Sequence, residues 1–381
     1  MGAPPALSSP SSAHDSSFSA DSISLMKFEV KSKLLTTNNT AFPAGIFLAQ
    51  TGGYSILLDY CVNIFFPEQM FSDFLDPVRF VPPVNWPLLA QRGQIELADI
   101  RSSVQWNHGE EAIIRTLRDL CSTGYVCGYL DEYFLENTRA YRRCHNKHET
   151  LIVDVDDFAE NFDIAVYNSD DRFIIQSVPA NLLVQSIVST DGWPVAYTYN
   201  SRDLAPGYCK GMRKPLYHIR SRVPITPLIN LQTFREQIRD YCESTARYIS
   251  YLGDPLTNWT ENGGEYGLGY YRSLTRFVSS MGVSQMPIDP RTTKLIYEQK
   301  AVMIERFKVI EKQGLIFPDS ITASLRQLTQ ETLLLHTNVV AMNRGLIARD
   351  YPSVIEAIET ISANDREWST TMLKFLDEGG I

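Results

Sequence analysis

Residues 50–61, QTGGYSILLDYC, join a glycine turn to the beginning of an apolar helix. Apolar side chains recur at helical spacing from Ile56 to Phe65, so we predict a helix from Ser55 to about residue 66 that ends before Pro67. The N-terminus of a helix lowers the pKa of a nearby thiol and offers backbone N–H groups to a developing oxyanion. This junction is therefore where we expect a nucleophile.

Two residues of this junction are candidates for the nucleophile, and the sequence leaves both open. Cys61 has the better chemistry, because a thiolate attacks acyl groups and thioesters readily. It lies well inside the predicted helix, where a cysteine is usually a small and inert core residue. Ser55 has the better position, at the end of the glycine turn, although a serine there is also a common N-cap of a helix.

A second segment, residues 145–157 (HNKHETLIVDVDD), contains the candidates for the base. Its apolar, β-branched run predicts a buried strand. His148 lies at the mouth of this strand, where an imidazole that titrates near neutral pH can act as a general base. His145 is equally eligible, and either residue is also explained as a partly exposed loop histidine.

The remaining pattern predicts an α+β chain in three parts. Residues 1–24 are rich in Ser, Ala and Pro and are predicted to be a disordered leader. Residues 25–226 contain an amphipathic helix at 109–121, then a run of short strands and a helix at 178–187, which is typical of an α+β domain. Residues 227–381 are predicted to form an all-helical domain. Its helical patterns cover residues 231–252, 266–280, 291–313, 320–349, 352–362 and 365–376.

Composition excludes several classes of function. The chain has 381 residues, a formal net charge of -9 and no Lys/Arg-rich run, so nucleic acid is not an expected partner. No apolar run reaches the ~18 residues of a membrane span, so we expect no membrane partner. The 6 cysteines form no CxxC pair, which is typical of a reducing, cytoplasmic setting. Cys144, His145 and His148 lack the second cluster that zinc requires, so we expect no metal.

Residues 129–157, YLDEYFLENTRAYRRCHNKHETLIVDVDD, resemble a family of papain-like proteins encoded with nonribosomal peptide and polyketide assembly lines. The family is similar to the butirosin biosynthesis acyltransferase and, more distantly, to the double-glycine leader peptidases. An aromatic-rich DEYY strand, a His-x-x-His loop, an apolar strand and a YDD-like turn follow one another in that family. Residues 288–307, IDPRTTKLIYEQKAVMIERF, also resemble its C-terminal region, where EHK is more usual than the EQK of this chain.

The resemblance implies a papain-like cysteine protease fold followed by the helical domain, and a Cys-His-Asp/Asn triad. In papain-like geometry the third member lies on the strand after the histidine strand, which corresponds here to Asn168 or, alternatively, Asp170. Both lie in the turn-rich sequence NSDD, so plain turn formation also explains them. The peptidase branch has an oxyanion-hole glutamine about five residues before its cysteine, and Gln50 and Ser55 keep this spacing. A serine therefore stands in the place of the family's cysteine.

The family's chemistry implies transfer of an acyl or aminoacyl group from a carrier-protein thioester to a small-molecule amine, with no cofactor, because the thioester carries the activation. Carrier proteins are typically acidic, so a basic loop is expected to meet them. The candidates are Arg139, Arg142, Arg143 and Lys147, which are otherwise solvated loop charges. Two alternatives stay open: a thioesterase or peptidase-type hydrolase that uses the same triad, and a catalytically silent papain-like binding protein.

Overall fold

The chain, in a computed structural model, combines an antiparallel sheet with a bundle of C-terminal helices. The structure describes residues 41–43, 45–46, 62–67, 79–81, 89–90, 95–100, 109–156, 160–169, 172–191, 216–221, 229–245, 247 and 264–379. The predicted leader, residues 1–24, lies outside these residues. So do residues 50–61 and Asp170.

The main sheet has six antiparallel strands in the order β3-β8-β4-β5-β6-β7. Its central hairpins follow directly from the sequence, because short β-branched runs alternate with acidic turns. The strands of this sheet are β3 (Ile95–Asp99), β4 (Tyr125–Asp131), β5 (Lys147–Asp156), β6 (Asn161–Tyr167), β7 (Phe173–Pro179) and β8 (Leu216–Ser221). A smaller sheet has the order β2-β1-β9 and consists of β1 (Asn63–Pro67), β2 (Arg79–Val81) and β9 (Gly264–Tyr266).

The helices whose bounds lie within the described residues fall into two groups. Two of them accompany the main sheet: α1 (Glu110–Cys121) and α2 (Ala180–Val188). The others follow β8 in the chain and are α3 (Leu231–Glu243), α4 (Gly269–Ser284), α5 (Pro290–Lys312), α6 (Asp319–Asn343) and α7 (Tyr351–Glu378). Helices are thus segregated from an antiparallel sheet, which confirms the α+β class. Among the described residues, no helix combines the length and the apolar character needed to cross a membrane.

The two faces of the main sheet are buried against different helices. Alternation along β5 directs Ile152 to one face and Leu151 and Val153 to the other. Ile152 belongs to a cluster with apolar residues of α1 and α2. Leu151 and Val153 belong to a larger cluster that includes residues of β1 and of the C-terminal helices. This larger cluster, like the pairing of β1 with β9, joins residues from both sides of the domain boundary predicted at residue 226.

The helix predicted for residues 55–66 is wrong at its C-terminal end. Residues 63–67 (NIFFP) form β1, in which Ile64 pairs with Phe80 and Phe65 pairs with Tyr266. Periodicity cannot distinguish a short apolar run in a helix from one in a strand, and the aromatic and β-branched residues here favour the strand. The decisive partner, β9, lies about 200 residues further along the chain and leaves no local signal.

The two helices predicted at 352–362 and 365–376 are one continuous helix, α7. The polar residues between them do not interrupt it. Asn364 donates through Nδ2 to Glu331 Oε2 of α6 at 3.1 Å, and the buried Asp365 accepts from Lys300 Nζ of α5 at 2.6 Å. The polar positions therefore form interhelical contacts within the helix.

Candidate active site

The candidate site is at the end of the β4–β5 hairpin. Asp131 is the last residue of β4, and its Oδ1 accepts a hydrogen bond from the backbone N–H of Tyr133, so it caps the short 3-10 helix Glu132–Phe134. In the antiparallel register, Leu130 pairs with His148 and Asp131 pairs with Lys147. The carboxylates at the end of β4 therefore lie beside the histidines that begin β5.

Glu132 holds His148. Glu132 Oε1 lies 2.8 Å from His148 Nδ1. An ionised carboxylate only accepts hydrogen bonds, so Nδ1 carries the proton in this pair. The Glu132 side chain is 6% exposed and the His148 side chain is 40% exposed. A buried anion thus fixes one edge of an imidazole that is partly buried and partly exposed, which is how an orienting carboxylate supports a general base.

The surroundings of His148 raise its pKa above the ordinary value of 6.5. Burial has the largest effect and lowers the pKa, but it is outweighed by the hydrogen bond to Glu132 and by the negative charges of Glu132 and Glu149. The positive charge of Arg291 at the N-terminus of α5 opposes them. The charged form of His148 is therefore stabilised, as a base requires after it has accepted a proton.

A second pair lies beside the first. His145 Nδ1 is 2.6 Å from Asp131 Oδ2, and the His145 ring stacks on Tyr133 with 4.5 Å between ring centroids. Asp131 Oδ2 also accepts from Ser189 Oγ at 3.0 Å, and Asp131 Oδ1 accepts from the backbone N–H of Asn146 at 3.1 Å. The Asp131 carboxylate therefore organises the loop as well as holding a histidine.

Asn146 connects the two pairs. Its side-chain Nδ2 donates to Glu132 Oε2 at 2.7 Å, while its backbone N–H donates to Asp131. The backbone N–H of Glu132 donates in turn to the Asn146 carbonyl at 2.8 Å. Both oxygens of Glu132 are thus engaged, one by His148 and the other by Asn146.

Asn168 lies in the turn between β6 and β7. Its backbone N–H donates to the Arg172 carbonyl at 2.9 Å, and its Oδ1 accepts from the Arg172 N–H at 2.8 Å. The group that the structure shows on His148 Nδ1 is Glu132. An orienting role for Asn168 stays a prediction, and the same holds for Asp170, which is outside the described residues.

Ser55, Cys61 and Gln50 also lie outside the described residues, but the residue that follows Cys61 does not. Val62 is buried, and its carbonyl accepts from Gln299 Nε2 of α5 at 2.7 Å. Arg291, whose charge acts on His148, lies on the same helix about 12 Å away along the axis at 1.5 Å per residue. Helix α5 thus contacts Val62, the residue that follows the predicted nucleophile segment, and it carries the arginine whose charge acts on the predicted base.

The basic loop is partly engaged within the chain. Arg139 Nε donates to the Ser169 carbonyl at 3.2 Å, and Lys147 Nζ donates to the Thr190 carbonyl at 2.7 Å. Arg142 and Arg143 are exposed, and the Arg142 guanidinium lies 5.1 Å from the centroid of the Tyr141 ring. A docking role for these four residues stays a prediction.

Sequence reasoning missed the roles of Glu132 and Asn146. In the sequence, Glu132 is visible only as part of the DEYF motif, in which two acidic residues lie at the end of one strand pattern. Two histidines lie at the beginning of the next strand pattern. Antiparallel pairing of those strands was the signal that would have joined them. In the part of the chain that the structure describes, no group of three or more His, Cys, Asp or Glu side chains is arranged to hold a metal ion.

No protein-family model matches the sequence, and a comparison with curated proteins gives no match.

Proposed function

We propose that this chain is a papain-like acyl or aminoacyl transferase that forms an amide or ester from a carrier-protein thioester. The observation that carries the proposal is the His148–Glu132 pair, a half-exposed imidazole held through Nδ1 by a buried carboxylate. Such a pair suits proton transfer to and from a nucleophile near neutral pH. The motif resemblance supplies the substrate class.

The nucleophile would be Ser55 or Cys61. Its oxygen or sulfur attacks the thioester carbonyl, and His148 accepts its proton on Nε2. Collapse of the tetrahedral intermediate breaks the carbon–sulfur bond, and the imidazolium returns the proton to the departing carrier thiol. An amine then attacks the acyl-enzyme, His148 takes the amine proton, and the nucleophile leaves with that proton. Gln50 would stabilise the oxyanion in both steps.

No cofactor enters this scheme, because the thioester supplies the activation. The contact of Val62 with α5 supports it, since the residue that follows Cys61 in the chain lies against the same helix whose Arg291 acts on His148. Among the described residues, Cys121, Cys127, Cys144 and Cys242 form no disulfide with one another. The cytoplasmic location of the enzyme is part of the proposal and rests on the spacing of the cysteines in the sequence.

The test is intact-protein mass spectrometry after incubation with a panel of acyl thioesters. It compares the wild type with Ser55→Ala, Cys61→Ala and His148→Ala. An acyl adduct that is lost in one nucleophile variant and in His148→Ala would identify the nucleophile and support covalent transfer. Addition of amines then separates the two enzymatic alternatives, because a transferase yields an acylated amine whereas a hydrolase yields the free acid. The absence of any adduct, with carrier-protein binding unchanged in every variant, would leave the silent binding protein.

A further inference from the structure

We infer that Asn146 is a positioning residue for His148, acting through the carboxylate of Glu132. The inference rests on the proposed function for its catalytic meaning, but its geometry stands on the described residues alone. Asn146 is buried, and among the described residues its side chain is the one that donates to Glu132 Oε2, while the other oxygen holds His148.

The physical need for a second contact comes from the glutamate itself. The terminal torsion of a glutamate has a broad energy profile, so a single hydrogen bond leaves the carboxylate plane free to rotate. Donors on both oxygens fix that plane. The Nδ2 amide of Asn146 at 2.7 Å and the imidazole of His148 at 2.8 Å are these donors. The plane of Glu132 then fixes the ring of His148 and keeps its proton on Nδ1.

The loop around Asn146 is secured independently of the amide. The Asn146 backbone N–H donates to Asp131, and the Asn146 carbonyl accepts from the Glu132 N–H. Asp131 in turn binds His145 and Ser189. The Asp131–His145 pair therefore supports the loop, and the Asn146 side chain transmits that support to the Glu132–His148 pair. We expect the backbone contacts of Asn146 and the side-chain contacts of Asp131 to remain when the Asn146 amide is removed.

The test is NMR of selectively nitrogen-labelled histidine, since the chain has only 6 histidines and the spectrum of His148→Gln assigns the resonances of His148. In the wild type we expect the neutral His148 ring to be protonated at Nδ1. In Asn146→Ala and in Asn146→Leu, which keeps most of the side-chain volume, we expect the nitrogen shifts to move toward a mixture of tautomers. Asn146→Gln retains an amide and should restore part of the wild-type signal.

Asn364→Ala is the matched control, because Asn364 also donates an amide hydrogen bond to a glutamate, Glu331, but in the helical bundle. It should leave the His148 resonances unchanged. Unchanged His148 nitrogen shifts in both Asn146→Ala and Asn146→Leu would overturn the inference. Loss of the fold in both variants would overturn it as well, because the amide would then serve stability rather than orientation.

The acyl-thioester assay supplies a separate readout. We expect Asn146→Ala to lower the rate of adduct formation about tenfold, the change that corresponds to losing one hydrogen bond to a charged group. If the wild type forms no adduct, the proposed function fails while the NMR comparison still decides the role of Asn146. If the wild type reacts and Asn146→Ala reacts equally fast with unaltered nitrogen shifts, the positioning role fails while the proposed function stands.

Discussion

Glu132 Oε1 and His148 Nδ1 lie 2.8 Å apart, although 16 positions separate the two residues in the sequence. The contact depends on the antiparallel register of β4 and β5, which sets the residue after Asp131 beside the beginning of the next strand. The register of two paired strands is strongly fixed, because a shift of one residue would turn every side chain of a strand to the other face of the sheet. The pairing of β4 with β5 therefore sets the position of His148 relative to Glu132.

Glu132→Gln should lower the rate of acyl-adduct formation roughly a hundredfold, within the range found for general-base catalysis. The amide carbonyl can still accept from Nδ1, but the negative charge that stabilises the imidazolium is gone. Because that charge helps to raise the pKa of His148, the pKa should fall in the variant. The rate, which requires neutral His148, should then rise at lower pH than in the wild type. The measurement is the pH dependence of adduct formation.

Glu136→Gln is the control for that experiment, since Glu136 is exposed and accepts from Tyr141 in the same loop. It should change neither the rate nor the pH profile. A pH profile of Glu132→Gln that coincides with the wild-type profile would show that Glu132 does not set the proton affinity of His148.

Lys300→Met should destabilise the protein by about 3–5 kcal/mol, because it leaves a buried carboxylate without its cation. Lys300 Nζ lies 2.6 Å from Asp365 Oδ1, and both side chains are fully buried. Asp365 Oδ2 also accepts from the hydroxyls of Tyr241 and Tyr271. Urea-induced unfolding measures the change. The double variant Lys300→Met with Asp365→Leu should recover part of the loss, since no isolated charge then remains.

The exposed pair Lys374–Glu378 of α7 is the counterpart of this buried pair, with side chains 72% and 69% exposed. Lys374→Met should change the free energy of unfolding by no more than about 0.5 kcal/mol, as is usual for surface substitutions. Equal effects of Lys300→Met and Lys374→Met would mean that the buried ion pair contributes no more than an exposed one.

Gly267→Ala should destabilise the protein more than Gly314→Ala, although both glycines have a positive φ, of 52° and 101°. At Gly314 an added Cβ would meet no atom, so the cost is backbone strain of about 1–3 kcal/mol. At Gly267 the same atom would overlap the main chain of Tyr241, which adds roughly 1–3 kcal/mol of overpacking. Thermal or chemical unfolding of the two variants compares them directly, and equal losses would contradict the close approach of Gly267 to α3.

His336 should make the protein sensitive to acid. Burial and the positive charge of Lys294 lower the pKa of His336 from 6.5 to about 4, against a hydrogen bond to the Pro290 carbonyl that raises it. The unfolded chain therefore binds a proton between pH 6.5 and about 4 that the folded chain does not, so this contribution to stability is lost as the pH falls through that range. His336→Gln should lose less stability than the wild type between pH 7 and 4. Parallel curves for the two proteins would contradict the low pKa.

The sequence predicts the regular parts of this fold well where the signal is local. The helix at 109–121 has acids in its first turn and is observed as α1, and the buried strand predicted within residues 145–157 is observed as β5. The sequence does not predict β1, whose partner β9 is far away in the chain. It also does not predict that one helix continues through Asp365, whose cation comes from another helix. Long-range pairing decides both, and no window of sequence contains it.

The residues of the candidate site show the same contrast between local signals, which the sequence contains, and long-range contacts, which it does not. His148 was predicted from its place at the mouth of an apolar strand, and the structure puts it at the beginning of β5. Glu132 escapes sequence reasoning because its contact with His148 depends on the register of β4 and β5, whereas the resemblance points to an orienting residue on the strand after His148. Asn146 was missed because an asparagine in a loop is usually explained by turn formation.

The pairing of β1 with β9 also determines when the smaller sheet can form during synthesis of the chain. Residues 63–67 leave the ribosome long before residues 264–266, and synthesis at about 5–20 residues per second separates the two events by roughly 10–40 seconds. Until β9 emerges, one edge of β1 has no partner and can template association with other chains. The smaller sheet is thus completed late in translation, and a gene fragment that stops near residue 226 would encode a protein in which the edge of β1 that pairs with β9 stays open and prone to aggregation.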